Sequence, residues 1–133
     1  MVSKVNTGSA VSLTSTTVAN ITSITLTPGE WDLGANVIAV TNTASATQVT
    51  RLAAVLSTTS NSNFTSSDST QYSIHSAATT SVSASGTDVD SLTLGKTRIL
   101  VAAGTTQQVW LNVKATFTGG ISAWGALSAR RAT

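Results

Sequence analysis

Cysteine is absent from this chain of 133 residues, which removes disulfide staples, thiolate metal sites and cysteine nucleophiles together. That fits synthesis in a reducing compartment. Charge is nearly as scarce. Seven basic and five acidic residues make up 9% of the chain, against roughly 25% in an ordinary soluble domain. The net charge of +2 is too small to imply a nucleic-acid partner. The basic residues Lys4, Arg51, Lys96, Arg98, Lys114, Arg130 and Arg131 are scattered, with only the last two adjacent and no aromatic platform between them. Apolar runs such as residues 99–103 reach only five residues, far short of a bilayer span. Residues 1–6 carry no apolar stretch of signal-peptide length. A membrane partner and a secretion signal are therefore not expected.

The groups that carry chemistry are equally thin. His75 is the single histidine, and within Tyr72-Ser73-Ile74-His75 it has the setting of a strand residue. Hydroxyls are so abundant that pairing His75 with a serine and an aspartate on paper means little, and no Gly-x-Ser-x-Gly elbow occurs. Glu30 and Asp32 flank Trp31 at the end of a turn. A carboxylate pair can act as acid and base, but in this position capping of turn donors explains both residues more simply. Asp88 and Asp90 resemble a fragment of a calcium loop without its remaining ligands or its terminal glutamate, so a weak surface cation there stays open. Phosphate-cradling glycine loops are missing. The expectation is a protein that is not an enzyme, with no catalytic residue, no cofactor and no dedicated metal site.

What the chain does contain is hydroxyl. Serine (20) and threonine (25) make 45 of the 133 residues, so uncharged hydroxyls must cover most of the surface. Threonine, valine and isoleucine together number 44, and these branched side chains favour the pleated sheet over the helix. At this mass about two-thirds of the extended chain's surface can be buried, so a fold is feasible without staples.

Alternation of period two supports the same conclusion. Val109, Leu111, Val113, Ala115 and Phe117 share one face, opposite Gln108, Asn112, Lys114 and Thr116. Ile121, Ala123, Gly125, Leu127 and Ala129 repeat the pattern after Gly119-Gly120, a dipeptide that reads as a hairpin signal between alternating runs. Upstream, Trp31, Leu33, Ala35, Val37 and Ala39 alternate, as do Thr50, Leu52, Ala54 and Leu56. Val11 to Ser15 and Ile24 to Leu26 suggest two further strands, and Pro28-Gly29 suits the centre of a turn before Trp31. Leu92, Leu94 and residues 99–103 complete the set. Residues 57–69, short and polar apart from Phe64, read as an exposed loop, and 77–86 as a weak or edge strand. No segment shows helical spacing. About eight strands in an antiparallel β-sandwich are expected, with residues 1–9 as an N-terminal arm and 10–133 as a single domain.

Two tryptophans break the pattern. Trp110 falls on the polar face of its strand, and Trp124 lies opposite Ala123 and Gly125. Either both faces of these strands are covered within the domain, or the tryptophans mark a subunit contact, where aromatics are enriched.

The two ends of the chain also resemble a known group. Val11-Ser12-Leu13-Thr14, the run Asn20 to Leu33 with its Thr27-Pro28-Gly29-Glu30-Trp31-Asp32 core, and the closing Val109-Trp110-Leu111, Ala115-Thr116-Phe117, Ser122-Ala123-Trp124-Gly125 and Ser128-Ala129-Arg130-Arg131 are similar to tailed-bacteriophage β-sandwich virion surface proteins. Members of that group tend to carry tyrosine at the position of Trp124 and to finish on a similar Ala-Arg-Arg. The resemblance spans residues 10–131, with 57–90 alike only in serine and threonine content. It implies a jelly-roll-like sandwich, usually trimeric, on the virion surface and made in the cytoplasm of a bacterial host. It brings no catalytic residues. Trp124, Arg130 and Arg131 would lie near a neighbouring subunit or the virion, and with Trp110 they form the candidate contact set. Two roles fit: a capsid decoration (cement) protein bound to the major capsid protein or another virion protein, or the receptor-binding head of a tail fibre directed at a host-surface glycan or protein. The β pattern begins within about ten residues of Met1, leaving no room for a shaft, which favours decoration.

Overall fold

A computed structural model of the chain describes residues 2–5, 10–42, 47–58, 69–75, 81–82 and 88–132. Among them are ten strands: β1 (Val2–Val5), β2 (Val11–Ser12), β3 (Ala19–Leu26), β4 (Gly29–Thr41), β5 (Thr47–Ser57), β6 (Ser69–His75), β7 (Ser81–Val82), β8 (Asp88–Val101), β9 (Gln107–Thr118) and β10 (Ile121–Arg131). Two of these, β2 and β7, are only two residues long, so eight strands carry the architecture. Each stretch of alternating apolar residues seeds a strand because one of its faces can be buried while the other stays polar.

The strands form two antiparallel sheets. Sheet I has the order β1-β10-β4-β8 with β2 also on β10, and sheet II has the order β3-β9-β5-β6 with β7 also on β5. Taking the eight longer strands along the chain, each successive strand crosses to the other sheet, except β5 to β6, which are neighbours. That wrapping is the jelly roll. The fold class expected from composition and alternation is therefore the one found.

One connection differs from expectation. Gly119-Gly120 does not close a hairpin, because β9 lies in sheet II and β10 in sheet I. The positive φ of Gly119 (93°) turns the chain across the sandwich instead. The Pro28-Gly29 turn makes the same kind of crossing from β3 to β4, with Gly29 at φ 133°. Alternation specifies which face of a strand looks inward, but not which sheet the next strand joins.

The core lies between the sheets. Leu33, Val37 and Leu127 of sheet I meet Leu26, Leu52, Leu56, Leu111 and Val113 of sheet II, all within 1% of complete burial. Each such side chain contributes about 1.5–3 kcal/mol relative to exposure. The two apolar stretches around Leu92 and Ile99 form one strand, β8, which carries an extra residue between Leu94 and Thr97 opposite Ala35 and Leu33. That bulge puts Leu92 and Leu94 on the same inner side as Val101, although their numbering has opposite parity.

Val2–Val5, within the segment read as an arm, is a strand laid along Gly125–Ser128 of β10. Of the expected loop 57–69, Ser57 is the buried last residue of β5 and Ser69 the first of β6, while 59–68 lie outside the described residues. Within 77–86, Ser81–Val82 pairs with Thr47 and Gln48, and the remaining positions lie outside the described residues.

The passage from β2 to β3 contains one irregular residue. Thr16 sits at φ 65°, a region that β-branched residues rarely enter. It is held there because its N–H donates to Ala115 O at 2.8 Å, while Phe117 N–H donates to the adjacent Ser15 Oγ at 3.0 Å. Replacing threonine by glycine at an ordinary strand position costs about 1 kcal/mol. At Thr16 the expected result of Thr16→Gly is no loss, or a gain of about 0.5–1 kcal/mol, in urea unfolding.

Candidate interaction surface

The outer face of sheet I is laid out in a gradient along its strands. At one end Trp124 of β10 stands directly opposite Ile38 of β4, with the Ser122–Val40 pair beside them. Trp124, Ile38 and Val40 are each half-buried although they face away from the core. The indole Nε1 of Trp124 is shielded and has no hydrogen-bond partner, a costly state for a donor. Nearby, Asn42 Nδ2 donates to Ser122 Oγ at 2.8 Å. The middle of the face includes small, uncharged residues: Asn36 opposite Ala126 and Gly34 opposite Ser128, with Ser91 and Thr93 alongside on β8. Here the Ala126 N–H donates to Asn36 Oδ1 at 3.0 Å.

The charged side chains described on this face gather at the far end. Arg98 of β8 holds Asp32 of β4 in a fork, Nε donating to Oδ1 at 2.9 Å and Nη2 to Oδ2 at 3.3 Å. Its Nη1 lies 3.9 Å from Glu30. The hydrogen bond to Asp32, reinforced by that residue's negative charge, raises the Arg98 pKa above its ordinary value. Asp32 and Glu30 therefore face an arginine, a partner that the reading of them as turn caps did not include. The reason is register: Asp32 pairs with Arg98 on one side and Arg130 on the other.

Arg131, one residue further along, lies over the end of the sandwich. Its guanidinium carbon stacks 4.6 Å from the centroid of the Trp31 ring, and it donates to Pro28 O at 3.0 Å and Thr27 Oγ1 at 3.1 Å. Trp31 Nε1 donates to Thr27 O at 2.8 Å. This clasp ties the end of β10 to the β3–β4 turn.

Sheet II presents a different outer face. Trp110 is half-buried between Ser23 of β3 and Ser57 of β5, and Gln108 Nε2 donates to Ser23 Oγ at 3.1 Å. Ala53, Val55, Ser57 and Asn112, on the same face, are buried outside the main core. Strand β5 is thus covered on both sides.

The four candidate contact residues are consequently not one site. Trp124 and Arg130 share the outer face of sheet I, six residues apart on β10, or about 20 Å. Trp110 is on the opposite side of the molecule, and Arg131 is engaged within the chain. Leu100, 72% exposed on β8, was not anticipated. Its place in an apolar run suggests a core residue, and only the β8 register shows it facing outward beside Glu30. His75 ends β6 opposite Leu52, and Asp88 and Asp90 begin β8 opposite Val40 and Ala39. Among the described residues, no three metal-ligating side chains converge.

No protein-family model matches the chain, and no curated protein matches it. Among solved structures, a chain in the structure of infectious bursal disease virus Gx strain is similar at a TM-score of 0.39 and 14% identity, over 97% of this chain. This chain spans 29% of the length of that one.

Proposed function

We propose that this protein is a structural component of a tailed-bacteriophage virion, and specifically a homotrimeric decoration protein on the capsid surface, bound to the major capsid protein or another virion protein. The observation that carries the reading is that the sandwich core is complete without Trp110 and Trp124, both of which stand outside it on opposite faces. Large aromatics outside a finished core are what binding surfaces use as anchors. The low charge and hydroxyl-rich faces fit burial against a neighbour, where charged residues are depleted. The likeness of the terminal motifs to phage virion proteins agrees with this role, and those motifs fall on β2 to β4 and on β9 and β10.

Decoration needs binding only. In a trimer three copies of each weak contact act together, so modest patches hold firmly to the shell. Gold-labelled antibody on purified particles is expected to mark the shell. Label confined to the tail would assign the fibre-head role instead, with attachment of the isolated protein to host cells as its companion result. Sedimentation is expected to show a trimer that persists on dilution, and a stable monomer at micromolar concentration would remove the trimer.

The tryptophans give a sharper test. Trp110→Ala and Trp124→Ala are each expected to weaken assembly or particle binding by about 2 kcal/mol, near thirtyfold, as anchor residues do. The unfolding free energy should move by less than about 1 kcal/mol. Normal assembly with a much lower melting temperature would make both residues ordinary packing groups.

A further inference from the structure

The two outer faces of the sandwich differ in what covers them. On sheet II the outward side chains of Ala53, Val55, Ser57 and Asn112 are buried. On sheet I the outward positions Asn36, Thr93, Arg98, Leu100, Ser128 and Arg130 are exposed. Four strands about 4.8 Å apart, with β4 and β10 running its length, make this open face roughly 19 by 40 Å, or about 760 Å². A stable contact between proteins buries about 800 Å² on each partner.

Two groups at opposite ends of this face complement each other. Arg130 lies opposite Asp32, but Arg98 takes both oxygens of that carboxylate. Among the described residues Arg130 makes no ion pair or hydrogen bond. Trp124 stands half-buried at the other end. A guanidinium and an indole ring attract one another, and the chain already uses that pairing where Arg131 lies over Trp31. Within one molecule Arg130 and Trp124 are about 20 Å apart on one strand and cannot meet. Strands β4 and β10 pair without a register shift from Ile121 to Arg131. Trp124 and Arg130 are each three positions from Leu127, and their partners Ile38 and Asp32 are each three positions from Ala35, which pairs with Leu127.

We propose that the outer face of sheet I docks on the same face of a second copy of this chain. The two-fold axis runs across the strands above the Ala35–Leu127 pair, so that Arg130 of each copy lies over Trp124 of the other. The same rotation sets Asn36 of each copy over Gly34 of the other, where no side chain obstructs it, and Ala126 against Ser128. An axis along the strands would instead bring like ends together, with Asp32 against Asp32 and Arg130 against Arg98. Sheets packed face to face lie about 10 Å apart and turn by about 30°. Arg130, about 10 Å along its strand from the axis, is thereby carried about 5 Å sideways, within the span of its side chain. The contact is separate from the three-fold contact of the decoration reading. It joins monomers into dimers or trimers into hexamers, so its failure and that of the trimer are read from different species.

The test is sedimentation of the full chain across a concentration series. The wild type is expected to double its smallest species as concentration rises. Arg130→Ala removes the cation over each ring and should weaken doubling by about tenfold. Ser128→Arg, at an exposed position beside the axis, puts two bulky side chains into a gap of about 10 Å and should abolish doubling. Thr25→Arg, at an exposed position on the outer face of sheet II, adds the same charge elsewhere and should leave doubling unchanged. A wild type that never doubles, a Ser128→Arg chain that doubles normally, or a Thr25→Arg chain that loses doubling would overturn the face-to-face contact. A trimer that never becomes a hexamer removes this contact alone, and a dimer with no trimer removes the three-fold contact alone. Circular dichroism checks that each variant is folded. Should Ser128→Arg fail to fold, Ser128→Cys decides, because the chain has no thiol of its own. Labelling of that thiol by a bulky maleimide should be lost at concentrations where doubling is complete, and an unchanged rate counts against the proposal.

Discussion

Trp31→Ala is expected to lower the unfolding free energy by about 3–5 kcal/mol, the range for removing a large aromatic from a packed core. Trp31 is 5% exposed on the inner face of β4, so the substitution opens a cavity at one end of the sandwich. It also releases Thr27 O from its indole donor and strips Arg131 of the ring beneath it. Trp31→Phe separates these contributions. It keeps most of the packing while losing the N–H, and should cost about 1–2 kcal/mol. Arg131→Ala alone removes the stacking and the bonds to Pro28 and Thr27. In a double-mutant cycle the Trp31–Arg131 coupling should be about 0.5–1 kcal/mol, as for a cation over a ring near the surface. Denaturant unfolding at fixed protein concentration measures all three, because any assembly adds to the apparent stability. A loss near 1 kcal/mol for Trp31→Ala would mean that this end of the sandwich is loosely packed.

How much of this was legible without coordinates differs from residue to residue. The inner faces of β4, β9 and β10 follow directly from alternation, since Leu33, Val37, Val109, Leu111 and Leu127 are all buried as expected. Strand β5 was legible only in part. Leu52, Ala54 and Leu56 enter the core, but Ala53 and Val55 between them are buried too. The unbroken run Leu52-Ala53-Ala54-Val55-Leu56 was the available signal, because a strand covered on both faces loses its polar alternation. Sheet membership was not legible at Gly119-Gly120, where a short glycine link serves a hairpin and a crossing equally well. The pairing of Asp32 with Arg98 joins positions 66 residues apart, and nothing local to either residue announces a partner that register alone supplies. The bulge between Leu94 and Thr97 likewise leaves no mark on a two-fold pattern except a change of parity, which is what turns Leu100 outward. Trp110 and Trp124 stand out because they break a pattern, yet the pattern does not say that they belong to opposite sheets.

The second large effect is expected at Gly125. This residue is buried in β10 between Val37 of β4 and Val5 of β1, so the chain is paired on both sides. A side chain there would run into the backbone carbonyl oxygen of Asn36, with Asn36 C and Val37 Cα at 3.2 and 3.3 Å from its Cβ. The obstacle is main chain, held by the β4–β10 ladder and by the bond from Ala126 N–H to Asn36 Oδ1, and no rotamer change can clear it. Gly125→Ala should therefore cost about 3 kcal/mol or more, at the upper end of overpacking, and Gly125→Val should prevent folding. Gly34 provides the control on the neighbouring strand. A Cβ added there meets only Ser128 Oγ, at 3.9 Å, which is ordinary contact. Gly34→Ala should raise stability by about 0.5–1 kcal/mol, because alanine loses less backbone freedom on folding. Opposite signs for the same chemical change at two glycines of one sheet cannot come from composition or strand propensity, which treat the two positions alike. If both variants lose stability equally, close backbone approach is not what requires glycine at position 125.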